Sequence, residues 1–360
     1  MNIAIAHDIA TTLEGSERVL LALADIFPEA PIYTAAFSPD KLPMLNPTRV
    51  RSSFLNNWPL LKKHRQLLIP LSPLAFASFD FSAYDLVISS SSFAAKGLQV
   101  RPGGQHICYC HTPTRYLWRS ATDPRATGGW LALPKALVRT LLKRWDSKAK
   151  ERPTRYLANS RYIAGLIAQI YGRSSTVIYP PVDTNFFCLA SQPQKGDYFL
   201  FVSRLVDHKQ GQLAIEACNQ LGLKLKIVGR GPRQKAWQKL AGPTIEFLGY
   251  QSDEQLRTLY QQARAFIFPA EEDFGIVPVE AMACGTPVIA YGAGGALETV
   301  NAPICGLLLP EQTSASLQIA LEQFIASEVQ FQPDRIASLA QRFSQEKFKQ
   351  EILDYIKNLN

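Results

Sequence analysis

At 360 residues, with 47% hydrophobic and 19% charged side chains, the chain has room for two folded domains and is too apolar to be disordered. Its formal net charge of +8 is uneven: residues 1–180 hold 22 Lys and Arg against 11 Asp and Glu, while the remaining 16 basic and 19 acidic residues give a slightly acidic second half. No run of about 18 uncharged apolar residues occurs, which excludes a membrane-spanning helix. No zinc finger, RNA-recognition motif or aromatic-basic ribbon accompanies the basic half, so no nucleic-acid partner is expected; a membrane surface or a phosphorylated substrate fits better.

The chain opens on Ile3–Ala6, an apolar run that reads as a buried strand. It lacks the basic start and long apolar core of a secretory signal, so a cytoplasmic protein is expected, with the inner face of the plasma membrane as a possible station. Next, Gly15 and Ser16 are placed to start a helix that continues over Glu17–Ile26, its N-terminus turned to the ligand side. Leu86–Ser89 and His106–Cys110 read as further buried strands, and His111 ends the second of them at a site edge. Cys108-x-Cys110-His111 has no further ligands at a zinc spacing, so His111 is read as a sugar or phosphate contact or as a structural histidine, and no metal is expected. Asp-x-Asp is absent throughout, which removes the usual divalent clamp for a nucleoside diphosphate.

Trp130–Lys150 reads as a basic amphipathic helix. Leu137, Leu141, Leu142 and Trp145 form its apolar stripe; Lys135, Arg139, Lys143, Arg144, Lys148 and Lys150 carry its charge. Such a helix suits the surface of an anionic bilayer, and equally a core-facing helix with a solvated basic side. Tyr156–Ala158 is the next strand, followed by Tyr179-Pro180-Pro181-Val182-Asp183, where adjacent prolines stop helix and strand alike.

Alternation then restarts. Strands are expected at Tyr198–Val202, Leu225–Val228, Ala265–Pro269 and Val288–Tyr291, and helices at Gln210–Gln220, Arg233–Leu240, Ser252–Gln262 and Ser314–Ser327. The pattern implies two doubly wound α/β domains of Rossmann type, 1–180 and 190–344, joined by a hinge at about residues 179–195 and facing a deep cleft. The six cysteines are scattered in apolar contexts and read as core thiols.

Three segments of the second half carry chemistry. Arg204 and Lys209 follow the strand Tyr198–Val202, where an Arg fork and a Lys charge can neutralise a pyrophosphate. Gly229 and Gly231 make a tight turn after Leu225–Val228, by itself a weak signal. The stretch Glu272 to Ala290 holds two carboxylates, Glu272 and Glu280, around Asp273, Phe274, Gly275, Ile276, Val277 and Pro278. Pro278 suits a first helical turn, with Glu280 expected in that same turn and Gly285 at the helix end. The free amides of the helix start favour a phosphate. Gly292, Gly294 and Gly295 form another strand-to-helix turn, with Glu298 following.

Glu272-x7-Glu280 with Phe274-Gly275, followed by Glu280-Ala281-Met282-Ala283-x-Gly285-Thr286-Pro287-Val288-Ile289-Ala290, resembles the family 4 retaining glycosyltransferases. Arg204 and Lys209 match the diphosphate-binding pair of that family, and Gly229-x-Gly231-Pro232 its glycine turn. Tyr109 to Trp118, Asn159 to Ala164, Val177 to Asp183 and Glu271 to Pro278 look like bacterial mannosyltransferases of O-antigen and surface-polysaccharide assembly.

The resemblance implies the GT-B fold, with donor nucleotide on the C-terminal domain, acceptor mainly on the N-terminal one, and a last helix, 345–360, returning to the N-terminal domain. It implies a metal-independent hexosyltransferase with no bound cofactor, whose co-substrate is a nucleotide sugar, GDP-mannose foremost, and whose acceptor is a lipid-linked or polysaccharide glycan. His111, Arg204, Lys209 and Glu272 would be catalytic; Gly15, Ser16, Gly229, Gly231, Asp273–Val277 and Glu280 would bind the donor. Ser16 departs from the second glycine frequent in relatives at that point. The alternatives are a UDP-sugar hexosyltransferase and a catalytically silent GT-B binding subunit; an epimerase or a glycan phosphorylase fits less well.

Overall fold

The computed structural model describes residues 1–58, 68–118, 132–192 and 194–359, the side chains of 132–135 excepted. The chain divides into two compact units, Met1–Pro180 with Lys349–Asn360, and Pro181–Phe348.

Unit 1 is built on seven parallel strands: β1 (Ile3–His7), β2 (Ile32–Thr34), β3 (Val50–Ser52), β4 (Leu86–Ser91), β5 (Gln105–Cys110), β6 (Arg155–Ala158) and β7 (Ser175–Val177). They lie in the order β3-β2-β1-β4-β5-β6-β7. Unit 2 holds six parallel strands: β8 (Tyr198–Val202), β9 (Lys224–Val228), β10 (Ile245–Gly249), β11 (Phe266–Phe268), β12 (Val288–Tyr291) and β13 (Gly306–Leu309), in the order β10-β9-β8-β11-β12-β13. Helices cover both faces of a parallel sheet, so its central strands must be apolar on both sides. All six residues of β4 are buried, the apolar Leu86–Ile88 and the three serines at its carboxyl end alike. In each sheet the winding reverses once, between β1 and β4 and between β8 and β11. Loops that leave the carboxyl ends of strands at such a reversal are where ligands bind in doubly wound sheets.

The eight strands read from apolar runs are all present. Five more, β2, β3, β7, β10 and β13, lie at or beside sheet edges. The patterns of β3 and β7, three residues each, mix half-buried and exposed positions, so no continuous apolar run marks those two. Helix Ser314–Ser327 has the expected bounds, and Ser252 caps Asp253–Gln262 by accepting from Gln255 N–H.

The stretch expected to be a hinge is tied down from Pro181 onward. Val182 N–H donates to Phe343 O at 2.9 Å, Thr184 Oγ1 to Gln341 Oε1 at 2.9 Å, and the rings of Phe187 and Tyr260 pack edge to face. Two prolines do break the secondary structure there; the boundary between the units falls between Pro180 and Pro181, inside the expected stretch, and the chain beyond it belongs to unit 2. The last helix, Gln345–Lys357, buries Phe348 and Ile352, and Lys349 meets Asp25 at 3.6 Å.

The basic helix runs over Ala132–Ala149, and Trp130 lies outside the described residues. Its apolar positions do not form a single stripe. Leu142 and Trp145 pack into the unit 1 core, whereas Leu137 and Leu141 are 63% and 53% exposed, together with Val138. The inward face also carries Asp146, fully buried, whose Oδ1 lies 2.5 Å from Lys96 Nζ. Thr114 Oγ1 and Trp118 Nε1 donate to the same carboxylate at 3.0 and 2.7 Å, so the helix is pinned to the segment after β5. A buried ion pair holds only when its remaining hydrogen-bonding capacity is met in this way.

Candidate functional site

In unit 2 two loops leave the reversal point side by side. After β8, Arg204 lies exposed in the loop, Asp207–Lys209 forms one tight turn, and Gln210 takes a left-handed conformation (φ 55) before helix Gly211–Gln220 begins. The turn after β9 rests directly on this loop. Ser203 N–H donates to Val228 O at 3.1 Å and Leu205 N–H to Arg230 O at 3.0 Å. A Cβ on Gly229 would overlap Ser203 O, and one on Gly231 would overlap Leu205 O. These glycines are therefore required by backbone-on-backbone contact that holds the Arg204 loop, quite apart from any ligand.

After β11 the second loop carries Glu272 and Asp273, both half-buried, to Gly275, which sits at φ 88 as the N-cap of helix Ile276–Ala283. Phe274 turns inward, 4% exposed, and meets Phe343 edge to face at 5.4 Å. Its side chain anchors the loop. The Gly294–Gly295 turn backs the loop: Gly295 N–H donates to Glu272 O at 2.8 Å, and a side chain on either glycine would strike the backbone of Glu272 or Phe274.

Because the left-handed cap falls at Gly275, the helix starts two residues before Pro278. Glu280 therefore lies in the second turn, not the first. It is 3% exposed, and Tyr260 Oη donates to its Oε2 at 3.2 Å. The helix ends as expected: Gly285 N–H donates to Met282 O and Thr286 N–H to Ala281 O, the paired bonds of a glycine-terminated helix. The amides of the first turn have no partners within the helix and concentrate positive potential at its start.

Lys209 Nζ and Glu272 Oε1 stand 2.6 Å apart, joining the two loops. Arg204, Lys209, Gly229, Gly231, Glu272–Val277 and Glu280 thus all belong to elements around one reversal point of one sheet. The arrangement offers cations, free amides and carboxylates to one ligand with phosphate and hydroxyl groups.

In unit 1, Gly15 opens helix Gly15–Ile26, but Ser16 is not its cap. Glu14 is the N-cap residue, and its N–H donates to Glu17 Oε2 at 3.0 Å. Ser16 Oγ donates to the same oxygen at 3.0 Å. Asp8 accepts four backbone N–H bonds from Ser92 to Ala95, at 2.6–2.9 Å, and so fixes the loop that leaves β4. Beside it, His111 Nε2 lies 2.8 Å from Ser90 Oγ, and Ser90 Oγ 3.1 Å from His7 Nδ1. Burial, with His7 nearby, pushes the His111 pKa down to about 4, so the ring is neutral at pH 7.

Tyr260, His7 and Ser90 were not singled out from the sequence. His7 and Ser90 stand near the ends of strands read from the sequence, which is the signal that could have found them. Nothing in the sequence marks Tyr260 beyond its helix. Among the described residues, no three His, Cys, Asp or Glu side chains converge as a metal site would require, and no helix is long and apolar enough to cross a membrane.

Two family models match the chain: "Glycosyltransferase Family 4" over residues 13–186 and "Glycosyl transferases group 1" over residues 190–350. Similar proteins include human alpha-1,3/1,6-mannosyltransferase ALG2, 28% identical over 56% of this chain and 58% of the relative. They also include the GDP-mannose-dependent alpha-mannosyltransferase of Corynebacterium glutamicum, 36% identical over 30% and 26%. The chain spans about half the length of the curated relatives it matches. Among solved structures, Anabaena Alr3699/HepE in complex with UDP and glucose superimposes with a TM-score of 0.71 at 21% identity, over 100% of both chains. The fold is GT-B.

Proposed function

We propose, for a chain that belongs to the family 4 glycosyltransferases, that it transfers a hexose from a nucleoside diphosphate sugar with retention at the anomeric carbon. The favoured donor is GDP-mannose, and the acceptor a lipid-linked or polysaccharide glycan. The single observation that carries this proposal is the Lys209–Glu272 contact at the reversal point of unit 2. It brings together a cation that can bind a phosphate and a carboxylate that can bind hydroxyls, close to a helix start, which suits a sugar diphosphate.

In the proposed reaction an acceptor oxygen bonds the anomeric carbon while the bond from that carbon to the diphosphate breaks. The electron pair stays on the diphosphate, whose oxygen takes the acceptor proton. Arg204, Lys209 and the amides at Ile276 and Val277 stabilise the charge that grows on the leaving group. Glu272 binds donor-sugar hydroxyls, Glu280 the ribose hydroxyls, and His111 the sugar. The residues supply positioning and electrostatics without a protein nucleophile, a metal or a cofactor.

Mannose is favoured by the mannosyltransferases among the relatives, and GDP by the one named GDP-mannose-dependent. A UDP-sugar is the second reading, favoured by the UDP and glucose named for the HepE structure. The test is release of nucleoside diphosphate from GDP-mannose, UDP-glucose and UDP-galactose, with Arg204→Ala plus Lys209→Ala as the comparison. Release from GDP-mannose that the double variant abolishes supports the proposal. Equal release by the double variant overturns the diphosphate role, and no release from any sugar favours a silent binding subunit.

The lipid-linked acceptor also gives a use to the exposed Leu137, Val138 and Leu141, on a helix that presents Lys143, Arg144 and Lys148 to solvent. We place this face on an anionic membrane, with the protein at the cytoplasmic side. Flotation with anionic vesicles, weakened by salt and by Leu137→Glu with Leu141→Glu, is the expected result; no flotation at low salt contradicts it.

A further inference from the structure

Beneath His111, unit 1 carries a buried polar chain that the transfer step does not use. Glu17 and Ser90 are fully buried, and His7 is 2% exposed. They lie where the strand order of the sheet reverses. His7 ends β1 and is paired in register with Ser90 on β4. Ser90 Oγ lies 3.1 Å from His7 Nδ1 and 2.8 Å from His111 Nε2. On the far side of His7, Nε2 faces Glu17 Oε1 at 3.8 Å. The other oxygen of Glu17 accepts two hydrogen bonds, from Glu14 N–H and Ser16 Oγ–H, as a carboxylate does.

A hydroxyl between two imidazole nitrogens has one proton to give, so the direction of the chain is decided at its ends. At 3.8 Å the Glu17–His7 approach is electrostatic, and a carboxylate oxygen favours a ring N–H over a ring lone pair. His7 then carries its proton on Nε2 and accepts at Nδ1. Ser90 donates to that Nδ1 and accepts from His111 Nε2–H. A neutral imidazole has a single ring proton, so Nδ1 of His111 is left as a lone pair. The ring edge that remains is an acceptor, which suits a hydroxyl and repels a phosphate oxygen.

We propose that Glu17, His7 and Ser90 are positioning residues that hold His111 in its Nε2–H tautomer and so present Nδ1 as a hydrogen-bond acceptor to a sugar hydroxyl. The hydroxyl part rests on the glycosyl-transfer function proposed above; the tautomer part does not.

The chain has five histidines, few enough for selective ring labelling. Full-length protein labelled with nitrogen-15 histidine, assigned by single His→Gln variants, reports the tautomer of each ring without any donor present. The expected wild-type spectrum has His111 protonated at Nε2 and bare at Nδ1. Ser90→Ala is expected to give a mixture of tautomers, and Glu17→Gln a shift in the same direction. A wild-type ring protonated at Nδ1 overturns the proposal at once, whether or not the variants fold, and so does a tautomer unchanged in Ser90→Ala. The second arm is turnover of the nucleotide sugar the wild type uses. Asparagine can place an acceptor where Nδ1 stands and glutamine where Nε2 stands. His111→Asn is therefore expected to keep at least about tenfold more kcat than His111→Gln, the worth of one hydrogen bond; the reverse order overturns the hydroxyl role. A wild type that turns over no nucleotide sugar defeats the proposed function, while the spectrum still decides the relay.

Discussion

Lys209 and Glu272 come from loops after different strands, yet their charged atoms meet at 2.6 Å. The cation expected to hold the donor diphosphate is thus already neutralised by the carboxylate expected to hold the donor sugar. A donor must loosen that pair or share it. Glu272→Gln is therefore expected to leave affinity for the free nucleoside diphosphate unchanged or higher, while kcat falls by about 10- to 100-fold through loss of a charged hydrogen bond to the sugar. Titration calorimetry with the nucleoside diphosphate, beside a turnover assay, separates the two. Weaker nucleotide binding in this variant would count against the sugar role of Glu272.

Glu280 is buried under Tyr260, whose hydroxyl occupies one of its oxygens. Glu280→Gln should raise the donor KM by about tenfold or more, the worth of a hydrogen bond to a charged group. Tyr260→Phe should do so less, because it removes only an orienting contact. An unchanged KM in Glu280→Gln contradicts ribose binding.

The buried Lys96–Asp146 pair holds the segment after β5, which begins with His111. Lys96→Met alone leaves an uncompensated buried carboxylate and is expected to cost about 3–5 kcal/mol. Adding Asp146→Leu should recover part of that loss. Urea unfolding of the wild type and the two variants measures both, and a double variant less stable than Lys96→Met would contradict a simple stranded charge.

Acid should destabilise the protein through two histidines. Burial lowers the pKa of His106 to about 3 and that of His111 to about 4. Both rings are neutral in the fold, while the unfolded chain takes up their protons below about pH 6.5. Their contribution is therefore complete above pH 6.5 and is lost as pH falls towards the folded values. Between pH 6.5 and 5, before most carboxylates titrate, Tm should fall with pH in the wild type and fall less in His106→Gln. A wild-type Tm that is flat over that window contradicts the neutral buried state.

Much of this was legible in the sequence because it is local. The strand Tyr198–Val202 declares itself by an unbroken apolar run, and the Gly275 to Pro287 segment by glycines and prolines that only certain backbone conformations accept. Other features are not local. Whether Glu280 falls in the first or second turn depended on Gly275 taking a left-handed conformation, not on Pro278. That Leu142 faces the core while Leu141 faces solvent depended on where Lys96 and Asp146 meet. Contacts such as Lys209–Glu272 and the His7–Ser90–His111 chain join distant segments, and no spacing rule encodes them. The edge strands Val50–Ser52 and Ser175–Val177 were missed because half-solvated strands need no apolar run.

The central claim is that unit 2 holds a nucleoside diphosphate sugar through Arg204 and Lys209, with guanosine preferred. Thermal unfolding of the wild type and of Arg204→Ala plus Lys209→Ala, each with GDP, UDP and ADP at equal concentration, tests it most directly, since a ligand bound only by the folded state raises Tm by mass action. The expected result is a rise in Tm that is largest with GDP and absent in the double variant. No rise with any of the three nucleotides, or an equal rise in the double variant, would contradict it.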